Sequence, residues 1–108
     1  MAVDWFATLA EQGDIAKSKE VQVTTLLAMP SLPIEMATLL YSDVEKGAQA
    51  FGRILSEMEN ADIDDELLEA ADTLADIWSR LSVASVNKVR ELQGLPVITG
   101  QRAINSRR

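Results

Sequence analysis

The sequence contains no cysteine and no histidine. Without cysteine there is no disulfide framework, no thiolate nucleophile and no Cys-ligated metal. Without histidine there is no imidazole acid–base catalysis, no Ser-His triad and no His-ligated zinc. Aromatic side chains are scarce, with two Trp, two Phe and one Tyr. Long apolar runs are missing too, and none approaches the ~20 residues of a membrane span. Asp4 stands where a signal peptide would be basic, so secretion is not expected and the cytoplasm is the expected location. Basic residues are absent from Glu57 to Asp76, a stretch that holds nine acids. The 29 residues from Arg80 onward then carry six basic residues against the single acid Glu91.

What is present fits one domain: 108 residues can build a single core but not two. The net charge of -7 disfavours the bulk of the chain as a nucleic-acid binder, because its acidic part would be repelled by phosphate. Ala37, Tyr41, Val44, Ala48, Phe51, Leu55 and Met58 are spaced alternately by four and three, the period of an amphipathic helix. A second apolar set, Met36, Leu39, Ala50 and Ile54, flanks that seam, which predicts a central helix apolar over more than half its circumference. Pro30 and Pro33 mark its start by stopping any helix before them.

A second long helix is predicted after Asn60-Ala61-Asp62-Ile63-Asp64, where Asp62 or Asp64 can cap the free amides and Ile63 can pack on Leu68. Leu67, Ala71, Leu74, Trp78, Leu81, Ser85, Val89 and Leu92 form its apolar stripe, while Asp65, Glu69, Asp72 and Asp76 gather on the opposite side. Gly94 fits a left-handed C-cap with Leu95 folding back, and Pro96 prevents the helix from resuming. Gly47, Ala48 and Gly52 are small enough to let helices approach closely.

The N-terminal third reads as one or two shorter helices. Asp4 caps a segment bearing Trp5, Phe6 and Leu9, Gly13-Asp14 marks a break, and a second segment carries Ile15, Val23, Leu26, Leu27 and Met29. Residues 15–29 are read as helix, although Val21 to Thr25 has the β-branched content of a short strand. These segments are expected to cover the second apolar side of the central helix. The expected fold is therefore all-α: a long antiparallel helical hairpin over about 34–93, backed by the N-terminal helices. Residues 1–94 form a single helical domain and 95–108 an extended basic tail.

Chemistry has little to stand on. Asn60, Asp62, Asp64 and Glu66 alternate like the start of a calcium loop, but Asp65 occupies the tight-turn glycine position and Ala71 the position of the closing glutamate. No glycine loop is followed by the lysine of a phosphate site, since Gly47 and Gly52 lie inside a helix. No Trp-x-Gly separates the two long helices, as it would in a WxG-type hairpin protein. No catalytic residue, metal or cofactor is expected.

The expected function is non-enzymatic protein–protein interaction or assembly with self-association into a homo-oligomer, because long heptad helices on a short chain leave apolar surface for a second copy. A first alternative is a small acidic inhibitor whose Asp65, Glu69, Asp72 and Asp76 occupy a basic, nucleic-acid-binding surface of another protein. A second is a nucleic-acid accessory acting through its tail, where Val97, Ile98, Arg102, Arg107 and Arg108 are the candidate contacts. Direct nucleic-acid binding by any other part is not expected, nor is a membrane partner: Asp4 and Glu11 flank Trp5, Phe6 and Leu9 with the wrong sign for anionic lipid.

Overall fold

The computed structural model describes residues 4–97 and is all-α. It consists of α1 (Trp5–Leu27), α2 (Ile34–Asn60) and α3 (Asp65–Leu92), with no strand among the described residues. The two links are short, and Pro30 and Pro33 in the first do what their fixed φ dictates: α1 has ended by Leu27 and α2 starts directly after Pro33. Leu32 within that link is buried, which pins the connection to the core.

The most extensive interface joins α2 and α3. Trp78 faces Gly47 while Ser82 donates a hydrogen bond to Glu45, so positions that rise along α3 fall along α2 and the two helices run in opposite directions. Val44, Phe51 and Met58 of the heptad seam are buried, as are Ala71, Trp78 and Leu81 of the facing stripe. Each large apolar side chain buried in this way contributes about 1.5–3 kcal/mol. Leu40 is buried as well, although it falls outside the seven-residue spacing, and Tyr41 is only half-buried. Buried Ser85 satisfies its hydroxyl within α3 by donating to the Leu81 carbonyl one turn back.

Gly47 is the position where the absence of a side chain matters most. A Cβ there would lie 2.7 Å from Trp78 Cζ3 and closer still to Cη2, so the indole fits only because residue 47 is glycine. Gly52, five residues on, has nothing within 4 Å of where its Cβ would be and plays no part in the approach.

The N-terminal region differs from its sequence expectation. It is one continuous helix of 23 residues, shorter than α2 and α3 at 27 and 28 but not broken at Gly13-Asp14. The cost of a helical glycine is about 1 kcal/mol, and the seam Leu9, Ala16 and Val23, repeating every seven residues, is buried along the full length of α1. A break at Gly13 would divide that seam. The β-branched run Val21 to Thr25 is accordingly helix.

Nor does α1 cover the second apolar side of α2. It packs mainly on α3 and less on α2, leaving Leu39 70% and Met36 42% exposed.

The helix ends are set partly by side chains and partly by backbone. Asp4 caps α1, its Oδ1 accepting from Ala7 N–H at 3.1 Å. Asp64 takes the extended N-cap conformation of α3 but makes no side-chain cap bond; its carbonyl accepts from Leu67 and Leu68 instead. At the other end Gly94 has φ 78°, Gly94 N–H donates to Glu91 O at 3.0 Å, and Leu95 N–H donates to Arg90 O at 2.7 Å. That is a Schellman motif with glycine at its left-handed position. Arg90 Nε donates to Pro96 O at 2.5 Å and holds the following chain against the end of α3.

Candidate functional site

The four acids Asp65, Glu69, Asp72 and Asp76 are brought together on one exposed ridge of α3. Their spacing of three and four residues does this, since about 100° per residue returns them to one side of the helix. Among the described residues a counter-charge meets the ridge only at its end: Arg80 Nε lies 3.8 Å from Asp76, with both side chains well exposed. A pair of that kind contributes little.

Beside the ridge runs an open groove between α1 and α3 of about 960 Å³. Its floor is apolar, with Leu9 and Ala10 from α1 facing Leu67, Ala70 and Leu74 from α3. Phe6 lies at its edge and is 74% exposed, the most exposed of the large apolar side chains among the described residues. Asp14, Asp64 and Glu66 line it against the single cation Lys17. On α3, Glu66, Ala70 and Thr73 turn towards the groove and the four ridge acids follow round the same helix, so apolar floor and acidic flank are continuous.

A smaller hollow of about 260 Å³ lies between α1 and α2, where Leu26, Met36, Leu39 and Leu40 meet Gln22 and Asp43. Lys19 bridges two of these lining residues: its Nζ donates to Asp43 Oδ2 at 2.9 Å and to Gln22 Oε1 at 2.8 Å. The hydrogen bond from Lys19, and then its charge, hold the Asp43 carboxyl below the usual carboxylate range.

No family model, curated protein or solved structure matches this chain. A functional reading therefore rests on its own side chains. Among the described residues no group of three or more His, Cys, Asp or Glu is placed to hold a metal ion, and no helix is long and apolar enough to cross a membrane. Of the expected tail contacts, Val97 is 55% exposed, whereas Ile98, Arg102, Arg107 and Arg108 lie outside the described residues. Sequence reasoning located the ridge but missed the groove, whose walls come from two helices far apart in the chain. The exposed Phe6 next to buried Leu9 was its one local signal.

Proposed function

We propose that this chain is a non-enzymatic protein-interaction module that assembles through its apolar helix surfaces. The observation that carries the reading is the exposure of large apolar side chains on helices that each bury a different face in the core: Phe6 on α1 at 74% and Leu39 on α2 at 70%. Scattered single apolar residues are normal on a surface, but Leu39 and Met36 adjoin one another over the hollow between α1 and α2. That makes a patch a second copy can cover, with the antiparallel α2–α3 hairpin as its scaffold.

Light scattering over a range of protein concentrations tests this. A defined oligomer that dissociates on Leu39→Glu supports self-association through α2; a monomer at every concentration contradicts it.

A second reading draws on the ridge. Four clustered carboxylates with a single weak counter-charge suit contact with a basic protein surface, and reversing two of them should slow association while sparing the fold, because exposed charges act chiefly on encounter rate.

A further inference from the structure

We propose that the α1–α3 groove is a receptor for one cationic amphipathic helix of a partner protein. The inference deepens the protein-interaction reading above and rests on it, naming the surface and the chemistry of what it takes.

Shape argues for a helix. The α1 wall from Phe6 to Lys17 is about three turns long, roughly 17 Å at about 1.5 Å per residue. Its floor lies between two helices whose side-chain ridges offer the grooves into which a further helix packs. An extended peptide would find no strand edge among the described residues to pair with and would gain no ladder of backbone hydrogen bonds. A helix satisfies its own backbone and needs only an apolar face, which Leu9, Leu67, Ala70 and Leu74 are placed to meet. Small Ala10, Gly13 and Ala70 leave room for the partner's larger side chains, and exposed Phe6 at the mouth supplies an aromatic anchor of the kind that dominates interface energetics.

Charge sets the sign. Asp14, Asp64 and Glu66 at the rim outnumber Lys17, and Asp65, Glu69, Asp72 and Asp76 extend the negative flank along α3. A partner helix with leucine-like anchors at i, i+4 and i+7 and with Lys or Arg on its flanks would bury its apolar face on the floor and set its cations against these acids. An acidic helix of the same shape would be rejected by like charge.

The test uses the full chain and a labelled synthetic peptide about four turns long, with leucines on one helical face and lysines on the others, against a scrambled peptide of identical composition. Fluorescence anisotropy should show the ordered peptide binding about tenfold or more tightly than the scramble. Binding should weaken with salt and weaken about tenfold again on Ala70→Trp, which fills the floor without changing charge. Gln49→Ala, at an exposed position of α2 outside the groove lining, should leave it unchanged. Should Ala70→Trp lose its helical circular dichroism, Asp14→Lys combined with Glu66→Lys reads the same site from the rim and must weaken binding.

Equal binding of both peptides would overturn the groove while leaving a role for the ridge as a diffuse cation attractor; absence of binding by either would overturn both. A failure of the ordered peptide to bind, together with a fall in solution mass on Ala70→Trp, would assign the groove to a second copy instead. Displacement of the ordered peptide by a peptide of residues 97–108 at lower concentration than any foreign helix would assign it to the chain's own tail.

Discussion

Helix α3 meets its two neighbours in different ways. Against α2 it is closed at Trp78, whose indole sits directly on Gly47, and Val44, Phe51 and Met58 are buried, while a hollow of about 380 Å³ lined by Ala48, Leu55 and Ala75 opens beside them. Against α1 it is open on one side, where the Leu9, Ala16 and Val23 seam is buried but Phe6 and the groove floor stay accessible. At the matching glycine of α1, Gly13, a Cβ would meet Leu74 Cδ2 at 4.0 Å, an ordinary contact. The difference separates two roles along one helix. Tight interlocking gives stability, and unfilled apolar surface flanked by one sign of charge gives recognition.

The largest effect should come from breaking the closed side. Trp78→Ala removes a nearly fully buried indole and should cost about 3–5 kcal/mol in chemical denaturation, a large part of the stability of a domain this size. The two glycines of α2 then sharpen the contrast. Gly47→Ala gains helix propensity but drives a methyl group into the Trp78 ring, so a net loss of about 1–2 kcal/mol is expected. Gly52→Ala meets nothing and should instead stabilise by about 0.5–1 kcal/mol. Opposite signs for the same substitution, five residues apart on one helix, would be read from paired unfolding curves.

On the open side, Phe6→Ala should change stability by less than about 0.5 kcal/mol, because the ring is already in water. Smallest of all is the Lys19–Asp43 pair. Lys19 keeps the Asp43 carboxyl more acidic in the folded chain than in the unfolded one. Its contribution is therefore present above the ordinary carboxylate range and is lost as pH falls through the folded-state pKa. With Asp43 56% exposed, solvent screening holds the contribution below about 0.5 kcal/mol. Lys19→Met should flatten the acid limb of the stability profile by no more than that.

How much of this was legible in the chain depended on where the information lay. The α2 seam and the α3 stripe are written as unbroken runs of three- and four-residue spacing, and the C-terminal glycine as the residue before Leu95-Pro96. Helix α1 hides its continuity because its buried positions are few and two of them, Ala16 and Val23, are modest in size, while Val21 and Ile15 face out. A glycine in such a helix reads as a break. The need for close approach near Gly47 was readable, but its partner Trp78 was not, since that pairing depends on the register between helices. The same holds for the groove: Ala10 and Ala70 mean nothing singly and become a floor only when α1 is laid on α3.

Residue-resolved native-state hydrogen exchange tests the division between closed and open interfaces most directly. Amides of Val44 to Met58 and Ala71 to Ser85 should be the slowest and exchange only through global unfolding, while those of α1 should exchange through a separate, lower-energy opening. Amides of α1 protected to the same free energy as those of α2 and α3 would contradict the account, because α1 would then belong to one uniformly locked core.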